Sequence, residues 1–172
     1  MAVLPSTQAS AAKLTGLTAF NGTSGAYPHG SLIADSEGNL YGTTLDGGAF
    51  KDGTVFELTP PAAGQTAWTE TVLISFRGKR GESPSGRLIA DSAGNLYGTT
   101  VNGEALRYNT VFELTPPAAG QTTWSETVLA RFDGTDGGNP SGGLTAGSAG
   151  NFFGTTALGG TDDFGVVFEL RR

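Results

Sequence analysis

An all-β architecture built from repeated antiparallel sheets is predicted by three features of this sequence. Glycine accounts for 28 of the 172 residues, well above ordinary usage. Threonine, valine and aromatic residues lie in short clusters between turn residues, which is typical of short strands. The third feature is a stretch that occurs three times, over residues 30–44, 86–100 and, with changes, 142–156.

The repeat has a constant length. Phe20, Phe76 and Phe132 follow one another at intervals of 56 residues, and other positions keep this interval without insertion or deletion. A period of this size indicates a repeat architecture such as a propeller or a solenoid. We therefore expect one structural unit built three times. Its parts are a flexible leader over residues 1–11 and a three-blade region over 12–172, with repeats at 12–67, 68–123 and 124–172.

Copy two shows four strand candidates most clearly, at 71–76, 87–91, 96–100 and 110–115. Gly94 and Asn95 can take positive φ and are expected to turn the chain between the second and third strands. Apolar side chains on both sides of the first strand indicate a sheet covered by neighbours on both faces. Four strands per repeat favour a blade over a solenoid turn. The sequence thus predicts a β-propeller with three four-stranded blades per chain.

These motifs resemble a known family. The run Gly-Asn-Leu-Tyr-Gly-Thr-Thr at 38–44, the pair Gly47-Gly48 and the run at 53–60 are similar to the GloVer tandem repeat, and the resemblance extends over 12–172. It implies propeller-like structure and bacterial proteins that are often exported or surface-sorted, but no activity. The hairpin at 32–41 is also similar to the inner strands of NHL-type propeller blades. That similarity implies that 87–91 is the innermost strand A, followed by B, C and an outer strand D.

This strand order predicts how a ring closes. Residues 14–20 would form an outer strand without its own blade, and the last blade, 144–170, lacks its outer strand. Propellers have about 4–8 blades, and an open arc of three would expose two apolar faces. A strand-exchanged homodimer would give six blades, with 14–20 of each chain completing the last blade of the other. A piece of a longer array is the alternative.

Composition excludes several kinds of partner and site. A net charge of −6 argues against nucleic acid and anionic membranes as partners. Without cysteine there is no disulfide, thiolate metal site or cysteine nucleophile. We find no apolar run near membrane-spanning length, no signal peptide, and no catalytic, metal or cofactor motif. The resemblance to exported repeats favours an extracellular or cell-surface location, with the export signal absent from this chain.

Differences between the copies are confined to one end of the predicted blades. The A–B turns and C–D loops are nearly identical, whereas the D–A loops (21–29, 77–85, 133–141) and the B–C loops (45–52, 101–108, 157–164) differ. We call the end that carries the differing loops the variable end. Loops on a fixed scaffold commonly carry function, although neutral drift gives the same pattern. The predicted ligand-binding residues there are Tyr27, His29, Phe50, Asp52, Arg107, Tyr108, Asp162 and Phe164.

Aromatic side chains mixed with polar ones suit a glycan or a peptide. The expected function is therefore a non-enzymatic binding or scaffolding module that uses the variable end or a central channel. The alternative is a glycan-active hydrolase or lyase that uses carboxylates at the channel mouth. A structural role is favoured for the lone His29, and hydrogen bonding to neighbouring strands for Glu57 and its copies. For Asp35 and Asp91, turn capping is favoured over calcium binding.

Overall fold

The computed structural model describes residues 12–101, 109–148 and 150–172. This part of the chain is all-β and contains no α-helix, only a short 3₁₀ helix over Gly78–Arg80. Eleven strands form three separate antiparallel sheets, in which each strand pairs with its neighbour along the chain. None of the three sheets closes into a barrel. The sheets recur with the 56-residue period, but the fourth strand of sheet 1 lies in copy 68–123 and that of sheet 2 in copy 124–172.

Sheet 1 has four strands, which pair in the order in which they follow one another along the chain. Its strands are β1 (Ala26–Ala34), β2 (Leu40–Asp46), β3 (Thr54–Thr59) and β4 (Thr69–Ser75). The strand order β1-β2-β3-β4 confirms the predicted A-B-C-D order within a repeat. β1 and β2 pair with an irregularity between His29 and Ile33, which breaks the register inside an otherwise continuous hairpin.

Sheet 2 repeats this arrangement with β5 (Ile89–Ala90), β6 (Leu96–Thr100), β7 (Thr110–Thr115) and β8 (Ser125–Arg131). The bounds of β6 and β7 agree with the prediction. Strand β5 is much shorter than the predicted 87–91, because only Ile89 and Ala90 pair in the ladder with β6. Before it, Pro84 forms only an isolated bridge to Thr100.

Sheet 3 has only three strands, in the order β11-β10-β9. They are β9 (Thr145–Ala146), β10 (Phe152–Thr155) and β11 (Val167–Leu170). The missing fourth strand agrees with the prediction that the last repeat lacks its outer strand. The outer edge of β11 therefore has no neighbouring strand within the described residues.

The turn between the first two strands of each repeat is built by a glycine and an aspartate together. Gly94 has a φ of 83°, as predicted, because this left-handed conformation favours a residue without Cβ. Asn95 does not adopt positive φ. Instead its backbone N–H donates to Asp91 Oδ1, 3.0 Å away, and its side-chain amide donates to Asp91 Oδ2 at 2.9 Å. The asparagine is therefore used for its side chain.

The hydrophobic core lies between consecutive sheets. The first cluster joins Val55, Leu73 and Phe76 of the sheet 1 repeat to four buried residues of sheet 2, Leu88, Leu96, Phe112 and Leu114. The second cluster joins Tyr97, Val111 and Phe132 of the sheet 2 repeat to Leu144 and Phe152 of sheet 3. Each sheet thus presents a back face to the following sheet and a front face to the preceding one. Sheet 2 is covered on both faces, as the apolar strand pattern predicted.

One ring contact recurs at the same place in every repeat. Phe76 packs edge to face on Phe112, with ring centroids 5.0 Å apart, and Phe132 packs on Phe168 at 5.1 Å. The second ring of each pair lies directly over a glycine of the neighbouring strand. A Cβ at Gly98 would come within 2.6 Å of the Phe112 ring. The glycine of the recurrent Gly-Thr-Thr motif is therefore required by close packing.

Residues 14–20 form no strand, in contrast to the predicted outer strand. A strand requires a neighbouring ladder, and within the described residues no sheet precedes this segment. The segment nevertheless reaches the front face of sheet 1, where Phe20 packs on Phe56 with ring centroids 4.9 Å apart. This contact is the counterpart of the two phenylalanine pairs between the sheets.

Candidate functional site

The variable end is held together by hydrogen bonds between the loops that differ among the repeats. Gly48 N–H donates to the carbonyl of Gly22, 3.0 Å away, and joins loop 45–52 to loop 21–29. Ser83 N–H donates to the carbonyl of Asp52 at 2.8 Å and joins the same loop to loop 77–85. In the third repeat Gly160 N–H donates to the carbonyl of Gly134 at 3.1 Å. The two sets of variable loops therefore meet.

Two of the predicted site residues, Asp52 and Phe50, contact the following variable loop, 77–85. The carboxylate of Asp52 accepts a hydrogen bond from Gly78 N–H at 2.8 Å, so this side chain fixes the following loop. Phe50 is about half exposed, and the Arg77 guanidinium lies over its ring, 4.9 Å from the centroid. Asp52 therefore has a structural partner, whereas Phe50 is still accessible.

Tyr27 and His29 lie at the start of β1. Tyr27 is exposed and has a φ of 55°, which is uncommon for a bulky residue. The equivalent residues Ser83 and Asn139 share this conformation, so it belongs to the repeat. His29 is exposed, and its Nδ1 lies 3.1 Å from the carbonyl oxygen of Ser85, to which a protonated Nδ1 donates. No acidic group contacts this imidazole among the described residues, which agrees with a structural role.

The remaining predicted residues are not assembled with the others. Asp162 and Phe164 are exposed in the last loop, and Phe164 is 92% accessible. Within the described ranges, no hydrogen bond, ion pair or ring contact joins either of them to another predicted site residue. Arg107 and Tyr108 lie outside the described residues. The described members of the predicted set therefore lie in several places: His29 lines a small hollow on sheet 1, and Phe50 lines a larger groove.

That groove, of about 580 Å³, runs between the outer strands of sheets 1 and 2 and is bounded by two variable loops. Its walls combine apolar and charged side chains: Phe50, Ile74, Ser75, Arg77, Arg80 and Glu126. Glu126 lies on β8, and its Oε1 is buried without a hydrogen-bond partner. Burial raises the pKa of Glu126 to about 6, although the charges of Arg80 and Arg131 oppose the shift. The groove thus contains an unsatisfied acceptor beside exposed guanidinium groups.

The repeat offers a direct comparison for Glu126. One period earlier stands Glu70, whose Oε2 accepts a hydrogen bond from the Thr18 hydroxyl, 2.9 Å away. The residue one period after Thr18 is Ile74, which lines the groove and has no hydroxyl to donate. Oε1 is buried without a hydrogen-bond partner in both glutamates, so the copies differ at the other oxygen, which in Glu70 accepts from Thr18. This difference between the copies is the sequence signal that could have identified the groove.

At the opposite end of the sheets, the turn aspartates have full sets of partners. Asp35 accepts hydrogen bonds from the backbone of Glu37 and Asn39, from the Asn39 amide and from the Tyr41 hydroxyl. Burial opposes ionisation of Asp35, but the hydrogen bonds from Asn39 and Tyr41 outweigh it and lower the pKa of this carboxyl. Asp91 is bound in the same way, with a lowered pKa. These bonds confirm the predicted capping, and a carboxyl held ionised is poorly suited to donate a proton.

The tyrosine in this network is one of the buried residues between sheets 2 and 3. The Tyr97 hydroxyl donates to Asp91 and also lies 2.9 Å from Glu113 Oε1, while Arg172 donates to the tyrosine oxygen at 2.6 Å. Burial and the bonds to Asp91 and Glu113 raise the pKa of Tyr97 to about 12. The hydroxyl therefore stays protonated at neutral pH. Its bond to Glu113 agrees with the predicted structural role of the recurrent glutamates.

In the third repeat the aspartate and the tyrosine of this network are both replaced, by Gly147 and Phe153. Asn151 then donates to Glu169 Oε1 at 2.7 Å instead of to an aspartate. The turn aspartate is therefore present in only two of the three repeats, whereas the recurrent glutamate is present in all three, as Glu57, Glu113 and Glu169.

The described residues contain neither a cluster of metal-ligating side chains nor a helix that could span a membrane. Over 12–101, 109–148 and 150–172, no group of three or more histidine, aspartate or glutamate side chains is arranged to hold a metal ion. In the same ranges no helix has the length and apolar character needed to cross a membrane.

Comparison with known proteins gives one match. A family model described as the Gloeobacter/Verrucomicrobia repeat matches residues 4–172, which is nearly the whole chain. No curated protein and no solved structure has significant similarity to the chain. The match agrees with the recurrent motifs quoted above and with the three equivalent sheets. The chain belongs to the Gloeobacter/Verrucomicrobia repeat family.

Proposed function

We propose that this protein is a non-enzymatic β-propeller module in which two chains close one six-bladed ring and present the variable end to a ligand. The observation that carries the proposal is a difference in exposure between equivalent residues. Positions that are buried between sheets in two copies are exposed in the copy at the end of the chain. A second chain would cover both exposed faces with the packing already present inside each chain.

The back face of sheet 3 shows this difference most clearly. Val55 and Val111 are completely buried, whereas the equivalent Val167 is 79% exposed. Tyr97 is completely buried, whereas Phe153 is 40% exposed. The exposed copies carry no charge, so the face is suited to packing rather than to solvation.

The front face of sheet 1 shows the complementary pattern. Leu88 and Leu144 are buried, whereas the equivalent Leu32 is 45% exposed. A hollow of about 270 Å³ lies beside it, lined in part by Leu17, Phe20 and Leu32. In the two internal junctions a back face covers these positions. We therefore propose that the back face of sheet 3 of one chain covers the front face of sheet 1 of the other.

Strand exchange follows from the position of residues 14–20. Phe20 packs on Phe56 of sheet 1 in the same way that Phe76, which follows β4, packs on Phe112 of sheet 2. Residues 14–20 therefore lie against sheet 1 as the end of β4 lies against sheet 2. In a ring, the sheet that precedes sheet 1 would be sheet 3 of the other chain, which lacks its outer strand. Residues 14–20 would then complete it, and both chains would be exchanged symmetrically about a two-fold axis.

The binding role is assigned to the variable end because its loops are unlike while the scaffold beneath them is uniform. A glycan or peptide is the proposed ligand class, since aromatic and charged side chains are both exposed there. We place the ring outside the cell or at its surface, on the basis of the resemblance to exported repeat proteins.

Mass and cross-linking test the ring. Sedimentation equilibrium should give about 35 kDa, twice the 17.5 kDa of one chain. In sheet 2, Glu113 of β7 pairs with Thr127 of β8. One period after Glu113 stands Glu169, and in the proposed ring the position equivalent to Thr127 in the strand beside it is Thr15 of the other chain. Because the protein has no cysteine, the double variant Thr15→Cys, Glu169→Cys should form an intermolecular disulfide on mild oxidation.

The matched control shifts the register. Thr18→Cys with Glu169→Cys places the two thiols three residues out of alignment and should give little cross-linked product. A monomeric mass at every concentration would contradict the ring. A dimer that cross-links equally well in both variants would retain the ring but contradict strand exchange in this register.

A further inference from the structure

The groove between the outer strands of sheets 1 and 2 has features of a binding site that the ring does not explain. It lies within one chain, between β4 and β8, and its volume of about 580 Å³ is in the range of small-molecule sites. Ile74 and Phe50 supply apolar wall, and Arg77, Arg80 and Glu126 supply charge.

The carboxylate in this groove requires a donor that the protein does not provide. Glu126 Oε1 is buried and has no hydrogen-bond partner; Glu70, one period earlier, shares the unpartnered Oε1 but accepts a bond from Thr18 at its Oε2. Leaving a buried acceptor unpaired costs free energy, so a ligand hydroxyl that reached Glu126 would recover a bond that the protein lacks. The raised pKa of Glu126 agrees with this lack of partners.

The positive charge of the chain is concentrated beside this carboxylate. The run 77–80 holds three of the ten lysine and arginine residues of a chain whose net charge is −6. The Arg77 guanidinium is held over the Phe50 ring, 4.9 Å from its centroid, and Arg80 is exposed on the 3₁₀ helix. Guanidinium groups that are partly positioned in this way suit a carboxylate ligand.

We propose that the groove binds an acidic saccharide built from hexuronate units. The ligand carboxylate pairs with Arg77 and Arg80, its ring hydroxyls donate to Glu126, and the apolar face of the pyranose lies against Ile74 and Phe50. This inference rests on the proposed binding role but not on the ring, because every group it uses belongs to one chain.

An acidic peptide fits these groups less well. Its side-chain carboxylates satisfy the arginines and its backbone N–H groups can donate to Glu126, but it has no rigid apolar ring face to lie against Ile74 and Phe50. A neutral saccharide satisfies Glu126 and leaves the arginines without a counter-charge. A hexuronate carries both kinds of group on one ring, together with an apolar ring face, and therefore matches all three parts of the groove.

The test is calorimetric titration with hexagalacturonate at pH 7 and low salt, with its methyl ester and a hexaglutamate peptide as comparison ligands. We expect hexagalacturonate to bind more tightly than either. Arg77→Gln and Arg80→Gln should each weaken binding about threefold, as for exposed ion pairs. Glu126→Gln should weaken it about fivefold through loss of a charged acceptor, and added salt should weaken it further.

Glu70→Gln is the matched control, since it makes the same chemical change outside the groove, and it should leave the affinity within about twofold. Equal binding of the methyl ester would overturn the role of the arginines, and tighter binding of hexaglutamate would overturn the saccharide. If all three groove variants bind as the unchanged protein does, the groove assignment fails while the binding role stands. If no member of the panel binds, this inference fails, and the mass measurement still decides the ring separately.

Discussion

The two junctions inside the chain and the two faces at its ends are made of equivalent residues in different surroundings. Between sheets, the back-face valines Val55 and Val111 are completely buried, and the front-face leucines Leu88 and Leu144 are nearly so. At the ends, the equivalents of these residues are open to solvent. Equivalent positions usually carry polar residues where a repeat array ends, because terminal repeats must be soluble. Here the two faces stay apolar, which is the arrangement expected of faces that a neighbouring sheet covers.

Two residues that are replaced in the third repeat extend this comparison between internal and end faces. At the junction of sheets 2 and 3, Tyr97 packs on Phe152 with ring centroids 4.6 Å apart and directs its hydroxyl to Asp91. On the back face of sheet 3 the tyrosine has become Phe153 and the aspartate has become Gly147. Together the two changes remove both the hydroxyl and the carboxylate that bond each other in the second repeat. They make the end face less polar than the internal one, contrary to the trend expected for a permanently exposed surface.

The largest expected effect concerns a charge placed on the end face. Val167→Asp should leave the folding of one chain nearly unchanged, because the side chain is 79% exposed there. If the face is covered by a second chain, the substitution buries an unpaired carboxylate and costs several kcal/mol. We therefore expect sedimentation to show a change from dimer to monomer.

The control for this substitution is Thr66→Asp, in an exposed loop away from both end faces, which should leave the mass unchanged. Full retention of the dimer by Val167→Asp would show that the back face of sheet 3 is not the contact surface.

The second prediction compares equivalent leucines. Leu88→Ala removes a completely buried side chain and should lower the free energy of unfolding by about 2–5 kcal/mol. Leu32→Ala acts at a position that is 45% exposed in one chain, so a monomer should lose only about 1 kcal/mol or less. In the ring, Leu32 should behave as Leu88 does. Urea unfolding monitored at low and high protein concentration separates these outcomes.

The concentration dependence is decisive for this pair. A loss for Leu32→Ala that is small and independent of protein concentration would mean that the front face of sheet 1 remains exposed in solution. A loss close to that of Leu88→Ala, which grows with concentration, would support coverage by a second chain.

Much of this fold could be predicted from the sequence, because the constant period fixes equivalent positions without any structure. The bounds of β6 and β7 follow from the pattern, whereas the order of strands within a sheet and the missing outer strand of sheet 3 were implied by the resemblance to NHL-type blades. The strand expected at 14–20 does not form, since within the described residues no sheet precedes it to supply a ladder. The short β5 was also missed; the equivalent of Pro84, Pro28, pairs inside the nine-residue β1, so the proline does not account for the difference, and nothing in the structure explains it.

The candidate site was harder to predict for a different physical reason. Individual loop residues such as Phe164 and Asp162 look suitable by type, but the sequence does not say which loops meet across a junction. The groove is formed by residues of two repeats, and its distinguishing feature is the absence of a hydroxyl at Ile74. That signal appears only when the pair Thr18 and Glu70 is compared with the equivalent pair one period later, Ile74 and Glu126. Searching for motifs within one repeat does not detect it.

The smallest expected effect tests that pair through pH. Burial raises the pKa of Glu126 to about 6, above its value in the unfolded chain, so the folded protein binds the proton more tightly. The stability that protonation contributes is present at low pH and is lost as pH rises from about 4.5 to about 6. Glu126→Gln should abolish this decline. At pH 7 it should stabilise the protein by up to about 1 kcal/mol, since the half-buried group is partly screened.

Glu70→Gln is expected to act with the opposite sign at pH 7. This carboxylate accepts the Thr18 hydroxyl, and replacing a charged acceptor by a neutral one weakens the bond and lowers stability slightly. Thermal unfolding of both variants from pH 4 to pH 8 measures the contrast. If Glu126→Gln destabilised the protein as Glu70→Gln does, Glu126 would have a partner in solution and the groove would contain no unsatisfied acceptor. If both variants were neutral over the whole range, solvent would reach both carboxylates, and the difference between Thr18 and Ile74 would have no energetic consequence.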